Sequence, residues 1–413
     1  MRMNRLNGKH IILGITGGIA AYKSAELTRR LRDAGAQVRV VMTRGATEFV
    51  TPLTFQALSG NPVHTDLLDE KAEAGMGHIE LARWADAILI APASANTIAR
   101  LAQGRADDLL TAVCLASKAP LAIAPAMNHV MWHDVATQSN LGTLQQRDYH
   151  QFGPASGAQA CGETGEGRML EVAELVDSLA SLFKSGALQG VNVLITAGPT
   201  YEPIDPVRFI GNRSSGRMGF AVAQAAREAG ANVTLISGPG DLSTPEDMRR
   251  IDVETAAQMY DAVMHEVHSN QVFISAAAVA DYRPKTSSEQ KLKKQDAELS
   301  IELERTEDIL AAVSTTTPRP FVVGFAAETE NLEANARTKL HNKSLDLIAA
   351  NRVGKNENAQ DIGFNSEYNA LHLIWPDGEQ QLEQARKPAL ARQLISFIAR
   401  LYNQQKQNEK NTA

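Results

Sequence analysis

Cysteine, aromatic residues and long hydrophobic runs are scarce in this chain of 413 residues. It has two cysteines, Cys114 and Cys161, and 5% aromatic residues. So few cysteines exclude a disulfide scaffold and are typical of a reducing compartment. The longest apolar stretches, 87–93 and 114–127, are too short or too interrupted to span a bilayer, and the basic first residues lack a signal core. We therefore predict a cytoplasmic protein.

A surplus of positive charge is also absent. The net charge is −6, and neither half carries the global basic field of a nucleic-acid-binding protein. The 44% hydrophobic and 21% charged residues are ordinary for a globular chain of two or three domains. We predict no nucleic-acid partner and no membrane partner.

The sequence does contain two copies of one supersecondary pattern, a strand followed by a glycine turn, a helix and a second strand. Residues 11–43 and residues 191–237 each run from an apolar strand through glycines into a helix and a second strand. Such a pattern aims backbone N–H groups at an anion. We predict two α/β domains, 1–190 and 191–413, joined by the linker 185–190.

Each half alternates strands and helices. The all-apolar strands predict a parallel sheet with helices on both faces in each half, Rossmann-like in the second. In such sheets ligands bind at the carboxyl ends of the strands. One helix is predicted over 45–59, and the polar tail 403–413 is predicted to fray. The strands are predicted at 11–15, 38–42, 87–91, 121–124, 192–196, 232–236, 272–275, 321–325 and 347–350, with a late hairpin around 369–375.

The first glycine turn is not a dinucleotide fingerprint. It lacks the G-x-G-x-x-G spacing, and the second strand ends in Thr43-Arg44 where an acidic residue would hold a ribose. These absences argue against an oxidoreductase with two Rossmann domains. Glycine, threonine and arginine suit a single terminal phosphate, as in FMN, although tight strand–helix packing explains the glycines equally well. The candidate FMN-binding residues are Gly17, Gly18, Thr43 and Ser94.

Three further segments carry candidate chemistry. They contain His78, Asn128 and Cys161. Taken alone, each residue also has a structural explanation. His78 could be a surface or core histidine, Asn128 a helix N-cap, and Cys161 a small apolar residue in a loop. Cys161, however, lies among glycines near Arg168, which suits a reactive thiol better than a core. Cys114 lies in an apolar helix and is assigned to packing.

Together these segments resemble the phosphopantothenoylcysteine decarboxylase family of flavoproteins, which implies a flavodoxin-like, FMN-binding fold for the first half. The motifs P-x-M-N-x-x-M-W and A-C-G-x-x-G-x-G-R-M are complete, and the resemblance covers about residues 8–185. It implies that Asn128 binds the substrate carboxylate, that His78 assists binding and decarboxylation, and that Cys161 is the proton donor. FMN would take a hydride from the substrate, the thiocarbonyl would accept the electrons released with CO₂, and the hydride would return.

The second half has its own candidate site. The loop 205–216 is rich in arginine, asparagine and serine and leads into a helix, which favours a phosphate or carboxylate site over a plain connection. Asp281 follows a buried strand, and a lysine run begins at Lys291. Such a run is usually a solvated face, but here it suits a triphosphate clamp. Lys339 and Lys343 lie four apart on one helix face.

This half resembles phosphopantothenate–cysteine ligases over about residues 190–400, and the whole chain resembles the bifunctional enzymes of coenzyme A biosynthesis that fuse both activities. The resemblance implies that CTP and Mg²⁺ activate 4′-phosphopantothenate as an acyl-cytidylate, which L-cysteine then attacks. Asn212 would contact the acyl-cytidylate and Arg208 would support that step. Metal ligands are not assigned. The implied CTP-binding residues are Asp281, Lys291, Glu307, Asp308, Ile309, Leu310, Phe325, Lys339 and Lys343.

One position departs from the family pattern. Many members have Asn-Pro-Asp-Ile where this chain has Thr306-Glu307-Asp308-Ile309. Main-chain contacts to cytosine would tolerate that change, whereas a side-chain role at the second position becomes doubtful. The resemblance also implies a homo-oligomer of trimeric decarboxylase parts and dimeric ligase parts, giving a dodecamer.

Two other interpretations explain less of the sequence. A flavin-binding regulatory protein, with an inert Cys161 and an inactive ligase-like interaction module, does not need the intact set of His78, Asn128 and Cys161. A prenyl-transferring flavoprotein of similar fold would leave both the cysteine segment and the attached ligase-like half without a use.

Overall fold

The structure, a computed structural model, describes residues 5–67, 77–245, 247–293, 299–328, 331–352, 354–355, 361–362 and 366–412. The chain forms two compact units, Met1–Phe183 and Lys184–Ala413. The predicted division after residue 190 lies later in the chain than this boundary between the two units. The N–H groups of Ser185 and Leu188 donate to carbonyls of Glu228 and Ala229, and Leu188 is fully buried in the core of the second unit. The predicted linker therefore belongs to that unit.

The first unit is built on a parallel sheet with the strand order β3-β2-β1-β4-β5-β6. Without the two-residue edge strand β3, this is the doubly wound flavodoxin order, which reverses direction between β1 and β4. The four predicted strands of this half are confirmed, and a hairpin of β7 and β8 follows the sheet. The strands are β1 His10–Ile15, β2 Gln37–Met42, β3 Val63–His64, β4 Ala87–Ala93, β5 Leu121–Pro125, β6 His150–Gln151, β7 Ala155–Ala158 and β8 Thr164–Arg168.

Helices cover both faces of this sheet. The prediction of a single helix over 45–59 is wrong, because the chain leaves the helical conformation at Thr51 (φ −72°, ψ 147°). The ring of Pro52 disfavours the helical region for the residue before it, and proline then suits the first helical position. The helices are Lys23–Asp33, Arg44–Thr47, Pro52–Ser59, His78–Trp84, Ala95–Ala102, Leu109–Ala116, His129–His133, Val135–Gln146 and Val172–Ser181.

Two apolar clusters stabilise the first unit, one on each face of its sheet. Leu13 belongs to one cluster and its neighbour Ile12 to the other, because successive strand residues point to opposite faces. Cys114 is buried in the second cluster, as predicted. Burial raises the pKa of the Cys114 thiol to about 12.

The second unit holds a sheet of the order β13-β12-β9-β14-β17-β18-β21-β22. The strands from β13 to β18 run parallel, and β21 and β22 add the predicted late hairpin in antiparallel register. The five single strands predicted for this half are also confirmed. The sheet strands are β9 Asn192–Ala197, β12 Asn232–Ser237, β13 Arg249–Asp252, β14 Val272–Ser275, β17 Phe321–Glu328, β18 Leu347–Arg352, β21 Tyr368–Trp375 and β22 Gly378–Arg386.

Three short antiparallel pairs and five helices complete the second unit as described. The short strands are β10 Tyr201–Pro203 with β11 Phe209–Gly211, β15 Tyr282–Pro284 with β16 Leu303–Arg305, and β19 Gly354–Lys355 with β20 Asp361–Ile362. The helices are Arg217–Glu228, Ala256–Glu266, Ile309–Ser314, Leu332–Asn342 and Lys387–Thr412.

The carboxy-terminal tail is helical, so the prediction that it frays is wrong. The helix Lys387–Thr412 buries Leu394, Ile398 and Tyr402 at a spacing of one turn in the core of the second unit. The Lys406 Nζ lies 5.0 Å from the centre of the Tyr402 ring. Glutamine, lysine and glutamate favour helices, and extending a formed helix needs no new nucleus. In the described part of the chain, no helix has the length and apolar character needed to cross a membrane.

Candidate active sites

The predicted FMN-binding residues of the first unit lie at one edge of its sheet. Gly17 and Gly18 follow β1, Thr43 follows β2 and Ser94 follows β4, and these three strands are neighbours. The Thr16 Oγ1 accepts from the Ser94 N–H at 2.9 Å and donates to the carbonyl of Pro92 at 2.7 Å. These bonds join β1 to β4 where the strand order reverses, which is where doubly wound sheets bind ligands.

The two glycines of the turn have different surroundings. A Cβ on Gly17 would lie 2.9 Å from the carbonyl oxygen of Gly45, so tight packing explains that glycine. A Cβ on Gly18, in contrast, would have no neighbouring atom within 4 Å, so packing does not explain this glycine. A phosphate could accept hydrogen bonds from three groups here. They are the Gly18 backbone N–H, the Ser94 hydroxyl and the first N–H groups of the helix Ala95–Ala102. The use of these groups by FMN stays a prediction.

Asn128 and Cys161 come together in the structure. Asn128 begins the helix His129–His133, and its Oδ1 accepts from the Val130 N–H at 2.8 Å. Its Nδ2 points to the turn between β7 and β8, where it lies 3.5 Å from the exposed Cys161 Sγ. The amide and the thiol that the sequence assigned to one reaction are therefore adjacent.

Glu163, which the sequence reasoning did not select, is the third member of this cluster. Its Oε2 accepts from the Asn128 Nδ2 at 2.6 Å and from the Cys161 Sγ at 3.3 Å. Hydrogen bonds from Asn128 and then Cys161 hold the pKa of the Glu163 carboxyl below its usual value. Partial burial opposes that shift, and nearby His129 adds to it. A charged residue two positions from the candidate thiol was the only signal in the sequence.

The turn that carries Cys161 is tied to the loop that carries Asn128. The Met127 N–H donates to the carbonyl of Gly167 at 2.9 Å. Gly167 has a φ of +133°, and a Cβ there would lie 2.3 Å from the Met127 oxygen. The Gln159 Oε1 also accepts from the His129 N–H at 3.0 Å. Gly167 therefore serves a close contact between the two loops.

His78 lies apart from that cluster in the contacts that the structure describes. It is the first residue of the helix His78–Trp84 and is half-buried. Across residues 5–67 and 77–183, no hydrogen bond or ion pair joins His78 to Asn128 or Cys161. The role implied for His78 in decarboxylation stays a prediction.

The second unit contains a cavity of about 740 Å³ beyond the ends of β14 and β17. This volume suits a nucleotide-sized ligand. Asn212 and eight of the nine predicted CTP-binding residues line it. Those eight are Asp281, Glu307, Asp308, Ile309, Leu310, Phe325, Lys339 and Lys343.

Two predicted lysines stand on one wall of this cavity. The Lys343 Nζ lies 2.7 Å from the Asp308 Oδ2, and the Lys339 Nζ donates to the carbonyl of Phe325 at 3.1 Å. Partial burial raises the pKa of Asp308, but the hydrogen bonds from Lys343 and the Ala311 N–H and the charge of Lys339 outweigh it, so the pKa lies below its usual value. This wall combines fixed positive charge with a carboxylate.

The departure at Glu307 leaves the neighbouring cap intact. The Asp308 Oδ1 accepts from the Ala311 N–H at 3.1 Å and caps the helix Ile309–Ser314. The Glu307 Oε2 faces Arg283, whose guanidinium is 3.7 Å away. Because Asp308 supplies the N-cap, the helix Ile309–Ser314 still forms with Glu307 at the position where many family members have proline.

Asn212 joins two loops at the mouth of the cavity. Its Nδ2 donates to the carbonyl of Val279 at 2.9 Å and to that of Ala278 at 3.3 Å. The loop 205–216 is thereby held against the segment that follows β14. This arrangement requires a side chain that donates hydrogen bonds.

Arg208 and Lys291 do not line the cavity, in contrast to the positions implied for them. The Arg208 Nε donates to the Asp205 Oδ2 at 2.9 Å, and its guanidinium donates to the Leu292 carbonyl at 3.0 Å. The hydrogen bond from Arg208, opposed by burial and reinforced by backbone N–H groups, holds the pKa of Asp205 far below its usual value. Arg208 thus ties two loops together, and Lys291 is exposed beside Leu292. Their roles with CTP stay predictions.

Three buried polar residues that the sequence reasoning missed also line the cavity. They are Asn351, Asn369 and Lys387. Burial, with the nearby charge of Arg217, lowers the pKa of Lys387 to about 8. The available signal for Lys387 was a lysine directly before a proline at the start of an amphipathic helix.

A metal site is not formed by this chain within the residues that the structure describes, since no group of three or more His, Cys, Asp or Glu side chains is arranged to hold an ion. Asp281, Glu307 and Asp308 all line the cavity, yet they do not form such a group.

Two family models cover most of the chain. The flavoprotein family matches residues 2–184, and the C-terminal domain of the DNA/pantothenate metabolism flavoprotein family matches residues 188–402. Among solved structures, a C-terminal domain of a coenzyme A biosynthesis bifunctional protein CoaBC is 39% identical, with a TM-score of 0.45 over 53% of this chain and 100% of its own. A PPC decarboxylase mutant with bound pantothenoylaminoethenethiol is 32% identical, with a TM-score of 0.39 over 43% of this chain and 99% of its own.

Curated relatives match nearly from end to end. The coenzyme A biosynthesis bifunctional protein CoaBC of Vibrio vulnificus strain YJ016 is 55% identical over 402 residues, 97% of this chain and 99% of the relative. Those of Escherichia coli K12 and Bacillus subtilis 168 are 52% and 44% identical over 404 residues, 97% of this chain and 98% of each relative. The predictions of an α/β enzyme with a flavoprotein decarboxylase part and a ligase part are confirmed. The chain belongs to the family of bifunctional coenzyme A biosynthesis proteins.

Proposed function

We propose that the first unit carries the decarboxylase and the second unit the ligase, and that they catalyse consecutive steps. The ligase joins L-cysteine to 4′-phosphopantothenate with CTP and Mg²⁺, and the decarboxylase converts the product to 4′-phosphopantetheine with FMN. The observation that carries this proposal is the cavity in the second unit, which gathers Asn212 and the predicted nucleotide residues. The contact of Asn128 with Cys161 supports the other half.

In the decarboxylase, the residues that follow β1, β2 and β4 would hold FMN, which would supply hydride uptake and return when bound. The Asn128 Nδ2 donates to the substrate carboxylate and orients it. The Cys161 Sγ–H, on the turn above that amide, supplies the proton that completes the reduced product. The hairpin of β7 and β8 covers the site, and its contact through Gly167 holds the thiol near the amide.

In the ligase, the charges of the cavity bind the nucleotide. Lys339, Lys343 and the amino-terminal end of the helix Arg217–Glu228 offset the negative charge of the triphosphate. Asp281 holds a sugar hydroxyl or the metal ion. Asn212 fixes the loop against which the activated carboxylate forms, and the amine of cysteine then displaces CMP.

The location and the assembly are also part of the proposal. We infer a cytoplasmic homo-oligomer in which decarboxylase parts form trimers and ligase parts form dimers, so that a dodecamer results. The family resemblance of the two motifs near Asn128 and Cys161 supports this inference.

One reaction mixture tests both activities. The full chain, loaded with FMN, is supplied with 4′-phosphopantothenate, L-cysteine, Mg²⁺ and CTP, with ATP as the comparison nucleotide. We expect one pyrophosphate for each CO₂, with pyrophosphate released first. Pyrophosphate without CO₂ would contradict the decarboxylase assignment, and the release of neither would favour the regulatory alternative.

A further inference from the structure

The carboxylate that the Asn128 amide binds in this structure belongs to the protein itself. The Asn128 Nδ2 donates to the Glu163 Oε2 at 2.6 Å. The same oxygen lies 3.3 Å from the Cys161 Sγ and 3.4 Å from the His129 Nδ1. Glu163 therefore occupies the place between amide and thiol where the proposed function puts the carboxylate of the substrate.

We propose that Glu163 is a specificity-determining residue of the decarboxylase, whose carboxylate occupies the Asn128 amide until the substrate carboxylate displaces it. This inference rests on the proposed function of the first unit. It adds that the Asn128 amide already holds a carboxylate of the protein before substrate binds, so that binding is an exchange of one carboxylate for another.

The exchange follows from charge and hydrogen bonding. Two carboxylates in contact repel each other, and both would compete for the N–H groups of Asn128. A ligand with a carboxylate must therefore move Glu163 away, and it regains the hydrogen bonds that Glu163 gives up. A ligand without a carboxylate leaves Glu163 in place. When CO₂ departs, Glu163 returns to the amide, and the product loses that contact.

Glu166 on the same hairpin offers a matched control. Its Oε2 accepts from the Trp132 Nε1 at 3.1 Å and lies 3.6 Å from the His133 Nε2. In the described part of the first unit, no contact joins the Glu166 side chain to Asn128 or Cys161. Glu166→Gln therefore removes the same charge from the hairpin without changing what the amide holds.

The test compares two inert probes on the flavin-loaded full chain by equilibrium titration. In 4′-phosphopantothenoylserine a hydroxyl replaces the thiol, so the probe keeps the carboxylate and is not turned over. 4′-Phosphopantothenoylethanolamine lacks the carboxylate. Because the Glu163 side chain is 51% exposed, we expect Glu163→Gln to bind the serine probe only about threefold to fivefold more tightly. The affinity for the ethanolamine probe should not change, and Glu166→Gln should change neither.

Three outcomes would overturn the inference. Equal weakening of both probes by Glu163→Gln would mean that Glu163 only holds the hairpin, and unchanged affinities would mean that it does not compete.

If Glu163→Gln fails to fold, Glu163→Asp takes its place, because its shorter side chain withdraws from the amide and should also favour the serine probe alone. If the unaltered protein binds neither probe, the proposed substrate itself is wrong, and the inference is wrong with it.

Discussion

Asn212→Asp is expected to lower the rate of ligation by about 100-fold or more while leaving decarboxylation unchanged. The Asn212 Nδ2 donates to the carbonyls of Val279 and Ala278. An aspartate has no hydrogen to donate and would set a negative charge against two carbonyl oxygens. It would also repel the phosphates and the carboxylate that must enter the cavity. Pyrophosphate release measures ligation, and CO₂ from supplied 4′-phosphopantothenoylcysteine measures decarboxylation.

Asn232→Asp is the matched control for this variant. Asn232 begins β12 at the opposite end of the sheet and donates to the Asn192 Oδ1 at 3.0 Å, outside the cavity lining. The same change of charge should leave both rates as they are. Loss of both activities in Asn212→Asp would contradict the independence of the two sites.

Cys161→Ser is expected to reduce formation of 4′-phosphopantetheine by about 100-fold, which is within the usual range for a lost acid catalyst. A serine hydroxyl can keep the hydrogen bonds near Asn128 and Glu163, but it is a far weaker proton donor than a thiol. The variant should still bind flavin and release CO₂ from added substrate, and an oxidised product should accumulate. Mass spectrometry of the quenched mixture measures the two products.

Cys114→Ser provides the comparison within the same chain. Cys114 is buried in an apolar cluster, and its thiol has a pKa of about 12. Its replacement should lower thermal stability, because an apolar site gains a hydroxyl, yet the product should remain fully reduced. Full turnover by Cys161→Ser would remove the thiol from the mechanism.

The central strands of both sheets could be predicted because their sequences are apolar runs that end in glycines or small residues. The short or polar strands β3, β6 and β13 lack such runs and were not predicted. Most of the predicted CTP-binding residues line the cavity, and Asp281, Asp308 and Lys343 could be predicted because they match the motifs of the ligases that this half resembles. Lys387 and Asn369 could not be predicted as cavity residues. They reach the cavity from the last strand pair and the last helix, and only the folded sheet pairs β21 with β18.

Two side-chain contacts could not be predicted from the sequence. The role implied for Arg208 came from the resemblance to the ligases and stays a prediction, and the structure adds that the buried Asp205 three residues earlier binds its guanidinium. The importance of Glu163 depends on the turn between β7 and β8, which folds its carboxylate back onto Asn128. Motif spacing carries no information about either partner.

The account depends most on a flavin in the first unit that holds two electrons while the carboxyl group leaves. The most direct measurement is the anaerobic absorbance spectrum of the purified protein, with extraction and identification of any bound flavin. We expect one FMN for each chain and transient bleaching of the visible absorbance band of the oxidised flavin when 4′-phosphopantothenoylcysteine is added. A colourless protein that cannot be reconstituted with FMN, but still releases CO₂ from that substrate, would contradict the account.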